Sequence, residues 1–193
     1  MKKGVLYGII ISLIPFVVGC RTLGVRMNYY RDLSKEEREK VIWTRYNDHD
    51  SLVDVRNNGL VYAITGAQLE KMLHNKQRAL VYQWSPMCGS KACLSLNFLQ
   101  SFCTKHSIEL FVVADFYYNI FSQCHFLIDH PVFIANEVAY GTDKCKELQE
   151  LFYSDLLGKD LYELHSDDLW FRYFYFENGK FVMLCQDPLN ELK

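Results

Sequence analysis

The stretch that decides the fold of this 193-residue chain is Ala79-Leu80-Val81-Tyr82-Gln83-Trp84-Ser85-Pro86-Met87-Cys88-Gly89-Ser90-Lys91-Ala92-Cys93. Residues 79–84 form a short, mainly apolar run that stops before a proline, which predicts a buried β-strand. After the run, helical spacing predicts an amphipathic helix from about residue 88 to 105, with apolar positions at Ala92, Leu96, Leu99 and Cys103. The predicted order is therefore strand, turn with cysteines, helix.

Strands and helices alternate on both sides of this stretch. A capping-box pattern at Ser34/Glu37 predicts a helix that reaches about Trp43, and a second one at Thr65/Gln68 predicts a helix that reaches about His74. Apolar runs predict strands at 60–64, 108–114 and 131–135, and helices are predicted from residue 116 to 127 and from 142 to 157. Asn178-Gly179 between the runs 170–176 and 180–185 predicts a terminal β-hairpin. The fold class is therefore α/β, a three-layer sandwich with a mixed central sheet and helices on both faces.

The N-terminus has the order of an export signal. Lys2 and Lys3 precede an apolar stretch, residues 4–18, that is too short for an ordinary membrane-spanning helix. Val17-Val18-Gly19-Cys20 resembles the lipobox of bacterial lipoproteins, which implies that Cys20 carries a diacylglycerol and palmitate anchor. The alternative is an uncleaved membrane anchor with an incidental cysteine. Both interpretations place the domain outside the cytoplasm, tethered to a membrane of the bacterial cell envelope.

Length and charge limit the organisation and the partners. We expect a signal peptide at 1–19, a lipidated spacer at 20–33, and one domain at 34–193 that begins with a helical extension. The net charge is −2, and no run of Lys or Arg is interleaved with aromatic residues. No nucleic-acid partner is therefore expected.

Cysteine placement provides the functional signal. If Cys20 is lipidated, six cysteines remain in a compartment that permits disulfides, and six thiols allow fifteen pairings. Cys88 and Cys93 are close in sequence, and a thiol at a strand-to-helix turn lies near the positive end of the helix dipole. Residues five apart on a regular helix point about 140° apart, so a bond between these two requires Cys88 to precede the first turn.

The segment from Val81 to Cys88, followed by a helix, resembles the active-site segment of thioredoxin-fold proteins. In that family a tryptophan stands four residues before the nucleophilic cysteine, as Trp84 does here. The hairpin resembles the family's last two strands, and the extra strand and helix resemble the insertion of envelope-anchored TlpA and ResA type oxidoreductases. The resemblance covers about residues 60–187. It implies thiol-disulfide exchange with envelope proteins, with Cys88 as nucleophile and Cys93 as resolving thiol, and it requires no organic cofactor.

Two departures from the family keep other functions open. Four residues separate the cysteines instead of two, and this Cys-x4-Cys spacing resembles Q-type peroxiredoxins, with Ser85 in the place of their Ser/Thr. Phe171, not a proline, occupies the position of the family's cis-proline. The alternatives are a thiol peroxidase that uses the same cysteines and a non-catalytic thioredoxin-fold binding module. A structural disulfide and two unpaired thiols also remain open.

Several residues are candidates for supporting roles. Trp84, Ser85 and Pro86 are predicted to form the wall of the site, and Phe171 to face it. Asp115, at a strand end, is predicted to accept or relay the thiol proton. Arg172 either holds a thiolate, or polarises a peroxide, or faces solvent. Cys103, Cys145 and Cys185 are predicted to be core residues. Cys124-His125 has the residue types of a metal or redox pair, but adjacent residues rarely supply two ligands alone, so no metal site is predicted.

Overall fold

A computed structural model describes residues 27–45, 52, 54–89, 93–123, 127–159 and 172–193. Within these ranges the strands are β1 (Val41–Trp43), β2 (Val61–Ile64), β3 (Arg78–Trp84), β4 (Glu109–Ala114), β5 (Val132–Ala135), β6 (Tyr173–Glu177) and β7 (Lys180–Cys185). They form one seven-stranded sheet in the order β1-β2-β5-β4-β3-β6-β7. The first five strands are mutually parallel. β6 pairs antiparallel with β3, and β7 pairs antiparallel with β6. The predicted mixed sheet with a terminal hairpin is confirmed.

Helices cover both faces of the sheet. They are α1 (Lys35–Arg38), α2 (Gly66–Leu73), α3 (Leu96–Lys105), α4 (Ile120–Gln123), α5 (Glu137–Tyr140), α6 (Cys145–Leu157) and α7 (Pro188–Glu191). One buried cluster holds Leu69 of α2 and Phe152 of α6, and the other holds Leu99 of α3 and Ile120 of α4. Because each strand alternates its side chains between the two clusters, the molecule is the predicted three-layer α/β sandwich.

The helix predicted to run from Ser34 to about Trp43 is shorter in the structure. Its capping box is present, since the Ser34 hydroxyl accepts from Glu37 N and the Glu37 carboxylate accepts from Ser34 N. The helix nevertheless ends at Arg38, and Val41–Trp43 forms the edge strand β1. Val41 is buried against the sheet, and β-branched residues suit an extended, half-buried surface better than a short charged helix.

The helix predicted from about Cys88 begins instead at Leu96. Ser95 is its N-cap, with its hydroxyl accepting from the Phe98 N–H. Both cysteines therefore lie in the loop before α3, and the predicted start of this helix near Cys88 was wrong. The disulfide explains the shift, because residues five apart on a regular helix point in different directions and cannot form a bond.

The hairpin follows the sequence prediction closely. Asn178 and Gly179 have φ values of 49° and 73°, the left-handed conformation that a two-residue I′ turn requires. Glu177 pairs with Lys180 across the turn. Residues 170 and 171, which the sequence included in the first strand of the hairpin, lie outside the described residues.

Packing begins before Ser34, where order was expected to start. Met27 forms a β-bridge with Lys144, the Asn28 N–H donates to the Asp143 carbonyl, and Leu33 is buried. Residues 1–26 lie outside the described residues, so the signal peptide and the lipidation of Cys20 stay predictions. In the described part of the chain, no helix is both long enough and apolar enough to cross a membrane.

The connectivity around β3 positions the cysteine loop. β2, α2, β3, the loop, α3 and β4 follow one another. β6 then pairs with β3 in the antiparallel direction, and β7 pairs with β6 at the edge of the sheet. β5 lies between β2 and β4 as an added parallel strand. This arrangement is compatible with a thioredoxin-like fold, and it places the loop at the carboxyl end of a central strand.

Candidate functional site

Cys88 and Cys93 form a disulfide in the loop between β3 and α3. Their Cα atoms are 6.1 Å apart, and both residues are partly exposed to solvent. The loop starts with a turn in which the Cys88 N–H donates to the Ser85 carbonyl over 3.0 Å. A dissolved thiol therefore has access to the bond, and the backbone on the Cys88 side is held by the turn.

A small cavity adjoins the two sulfur-bearing residues. Its volume is about 210 Å³, and its lining includes three predicted wall residues, Trp84, Ser85 and Pro86, together with Leu94, Ser95 and Leu96. Trp84 is only 5% exposed and forms part of the floor. An apolar cavity of about 150 Å³ accommodates a benzene ring, so this one has room for a single side chain of a partner.

Two tyrosines that the sequence analysis did not single out lie under the C-terminal half of the loop. Tyr82 and Tyr173 are buried, and their rings are stacked with centroids 4.8 Å apart. The Tyr82 hydroxyl donates to the Leu94 carbonyl, and the Leu94 N–H donates to the Tyr173 hydroxyl oxygen. Alternation along β3 places Tyr82 on the face of Trp84, but no local pattern identifies Tyr173 as its partner.

Asp115 and Arg172 meet at the end of the sheet where β3 and β4 terminate and β6 begins. The Asp115 N–H donates to the Trp84 carbonyl over 2.8 Å, which ties the end of β4 to the end of β3. Its side chain accepts from the amides of Gln83 and Gln149, at 2.8 and 2.9 Å, and lies 3.6 Å from the Arg172 guanidinium. Arg172 also donates to the Gln83 carbonyl. The structure thus brings these two predicted residues together and adds two glutamines, Gln83 and Gln149, that no sequence pattern singled out.

The functional roles predicted for that pair remain predictions. Asp115 was expected to handle a thiol proton, and its described contacts are with two amides and a guanidinium. Arg172 was expected to hold a thiolate, polarise a peroxide or face solvent. Its side chain is 30% exposed, so Arg172 contacts solvent as well as the Asp115 carboxylate. The geometry gives both residues a clear part in joining β3, β4 and β6.

The other described cysteines differ from this pair in environment. Cys103, Cys145 and Cys185 are buried. Burial raises the pKa of Cys103 to about 12, and burial with the nearby Glu191 carboxylate raises that of Cys185 to about 12. Cys103 is therefore the core residue that its helical spacing predicted, and neither thiol forms much nucleophilic thiolate near neutral pH.

Three sequence predictions fall outside the described residues, namely those for Cys20, Phe171 and the Cys124-His125 pair. Among the residues that are described, no group of three or more His, Cys, Asp or Glu side chains is arranged to hold a metal ion. Comparison of the chain with protein-family models, with curated proteins and with solved structures gave no significant match.

Proposed function

We propose that this protein carries out thiol-disulfide exchange through Cys88 and Cys93. The observation that carries the proposal is the partly exposed disulfide in a loop at the carboxyl end of β3, beside a cavity that can receive a partner's side chain. The other cysteines of the described residues are buried. Cys88 and Cys93 are thus the cysteines that a partner can reach, and they are also the two that are joined by a disulfide.

The small size of the loop also favours exchange over a purely structural role. Cys88 and Cys93 are five positions apart, so the disulfide closes a very short loop. Loop-closure entropy gives such a bond about 2 kcal/mol of stabilisation, compared with about 3 kcal/mol for a 15-residue loop and more for longer ones. Opening this bond therefore costs the fold less than opening a disulfide that joins distant elements.

The reaction proceeds in two balanced steps. In the reduced protein, the Cys88 thiolate attacks a substrate disulfide, forms a Cys88–substrate bond and displaces one substrate thiolate, which takes up a proton. The Cys93 thiolate then attacks the Cys88 sulfur, forms the intramolecular disulfide and displaces the second substrate thiolate. Two electrons pass from the protein to the substrate. The oxidised protein is reduced again by a dithiol donor, or oxidises a substrate dithiol through the same mixed disulfide.

We also propose where this chemistry takes place. The resemblance to envelope-anchored TlpA and ResA type oxidoreductases, the export-signal pattern at 1–19 and the lipobox-like Cys20 support a lipid-anchored protein outside the cytoplasm. Its partners on this proposal are envelope proteins that bear thiols or disulfides. No organic cofactor is needed, because both electrons are stored in the cysteine pair.

Trapping of mixed disulfides tests the proposal directly. We expect the Cys93→Ser full-length chain to accumulate reducible adducts with envelope proteins, because the resolving thiol is missing. Cys88→Ser should form none, and its reduction of insulin disulfides should fall to background. Cys103→Ser, which alters a buried thiol of the same core, is the matched control and should behave like the wild type. Adducts and rates are read by non-reducing gels with mass spectrometry and by insulin turbidity.

The same experiment separates the alternatives. Unchanged insulin reduction by Cys88→Ser would contradict the proposal. Consumption of hydrogen peroxide, without exchange on protein disulfides, would favour a thiol peroxidase that uses the same cysteines. A disulfide that neither forms adducts nor reacts with thiols would favour the non-catalytic binding module.

A further inference from the structure

Tyr82 and Tyr173 form a cross-strand pair beneath the cysteine loop. They are directly opposite each other in the antiparallel pairing of β3 with β6, and their ring planes are 14° apart. Their exposed fractions are 0% and 1%, and both belong to the buried cluster that contains Trp84. Opposed residues on one sheet face stabilise each other, so the pair provides a rigid support at this point.

The two hydroxyls contact both backbone polar groups of Leu94, the residue after Cys93. The Tyr82 hydroxyl lies 3.4 Å from the Leu94 carbonyl oxygen, and the Tyr173 hydroxyl lies 3.5 Å from the Leu94 nitrogen. Each hydrogen bond is long and individually weak. Together they engage the peptide units on both sides of Leu94, one of which includes the carbonyl carbon of Cys93.

Both phenols are neutral at the pH where thiols react. Burial raises the pKa of Tyr82, and the adjacent Tyr173 raises it further. Burial also raises the pKa of Tyr173, against the lowering effect of its hydrogen bonds. The hydroxyls therefore act as hydrogen-bonding groups, and they add no negative charge that would repel a nearby thiolate.

We propose that Tyr82 and Tyr173 are positioning residues that hold Cys93 in reach of Cys88. The inference rests on the proposed exchange reaction, in which the Cys93 thiolate forms a bond to the Cys88 sulfur as the substrate sulfur leaves with its electron pair and gains a proton. A backbone fixed at Leu94 confines the Cys93 sulfur and raises its effective concentration at Cys88. Higher effective concentration favours the intramolecular disulfide and lowers the reduction potential of the pair.

The experiment measures that potential. Full-length wild type, each single variant and the double variant Tyr82→Phe/Tyr173→Phe are equilibrated with mixtures of reduced and oxidised glutathione, quenched in acid and analysed for the Cys88–Cys93 bond by mass spectrometry. Phenylalanine keeps the stacked rings and removes only the hydroxyls. We expect the double variant to form the disulfide about tenfold less favourably, a rise in potential of about 30 mV, with smaller shifts in the same direction for the single variants.

Tyr117→Phe is the matched control. Tyr117 is 0% exposed in the same buried cluster, and its hydroxyl has no hydrogen-bond partner among the described residues. Its ring contacts Tyr30 and Trp43, which lie toward the other edge of the sheet. The variant therefore removes a buried phenol hydroxyl away from Leu94, and the potential should equal that of the wild type.

Other outcomes overturn the inference in distinguishable ways. A double variant that has the wild-type far-UV circular dichroism and the wild-type potential removes the positioning role. Lower thermal stability without a change in potential shows that the hydroxyls are merely structural. If the double variant does not fold, an unchanged potential in Tyr173→Phe decides against the proposal. A wild-type disulfide that fails to equilibrate with glutathione would overturn the exchange reaction itself, and this inference with it.

Discussion

Solvent exposure divides the described cysteines into two kinds. Cys88 and Cys93 are partly exposed, whereas Cys103 and Cys185 are buried and have pKa values raised to about 12. Because the thiolate is the reactive form, a residue with a raised pKa is almost entirely unreactive near neutral pH. We therefore expect Cys88 and Cys93, once reduced, to react faster than Cys103 and Cys185.

Alkylation of the folded protein tests this division. After mild reduction at pH 8, we expect iodoacetamide to modify Cys88 and Cys93 first, and Cys103 and Cys185 only in denaturant. The buried thiols would need a pH near 12 to ionise, so raising the pH from 7 to 9 should leave their modification negligible. Peptide mass spectrometry assigns each site. Modification of Cys103 at the same rate as Cys88 would contradict the burial that the structure shows.

The loop between β3 and α3 shows where local patterns mislead. Apolar spacing extends the helix back to Ala92, but the Ser95 cap starts it at Leu96. A capping serine followed by helical spacing is visible in the sequence, yet the choice between two possible starting points depends on whether the cysteines form a bond. The disulfide keeps Cys88 and Cys93 outside the regular helix. A bond that lies outside α3 therefore helps to decide the residue at which α3 begins.

The hairpin between β6 and β7 offers a test at the level of elements. Gly179 has φ of 73°, and an added Cβ would lie 2.5 Å from the His74 carbonyl oxygen. Gly59 has φ of 76°, and a Cβ added there would have no atom within 4 Å. An alanine at position 59 would therefore be strained in its backbone but would meet no neighbouring atom. We expect Gly59→Ala to cost about 1–2 kcal/mol from the left-handed conformation, and Gly179→Ala to cost clearly more. Urea denaturation of the two variants measures the difference.

Equal losses in the two variants would contradict the close approach of the hairpin turn to His74. Two backbone hydrogen bonds hold the turn there, since Gly179 N donates to the Lys76 carbonyl and Asn178 N donates to the Gln77 carbonyl. The turn is thus bonded to the segment that leads into β3, and it helps to keep β6 aligned with the strand that precedes the cysteine loop.

At the scale of the whole molecule, the sheet assembles the candidate site from distant segments. β3 supplies Tyr82 and Trp84, the end of β4 supplies Asp115, and β6 with the residue before it supplies Tyr173 and Arg172. These strands are neighbours in the centre of the sheet. Side chains that are far apart in sequence therefore converge around the carboxyl end of β3, where the cysteine loop begins.

Attachment of the whole chain to a membrane is testable independently of its chemistry. We expect the wild-type chain to incorporate labelled palmitate and to sediment with membranes in a bacterial host. Cys20→Ala should abolish the label and release the chain or leave it with its signal uncleaved, because alanine has no thiol to carry the lipid. Cys88→Ser keeps the lipobox-like segment and is the control. Palmitate on the Cys20→Ala chain would contradict the predicted attachment site.

The sequence by itself determined the local features of the protein. Both capping boxes, the buried run before the cysteines, the Asn178-Gly179 turn and the alternation of strands with helices each depend on contiguous residues, whose hydrogen bonds and periodicity are readable along the chain. The same local logic singled out Cys88 and Cys93 and the α/β class.

Only the tertiary structure decided which segments pair and in what register. Val41–Trp43 became a strand because the edge of β2 was free to accept it, and β5 entered the sheet between β2 and β4. The contact of Tyr82 with Tyr173 follows from the register of β3 against β6. Strand pairing depends on burial summed over the whole sheet, and a shift of one residue would turn every side chain of a strand to the other face, so no single segment contains that information.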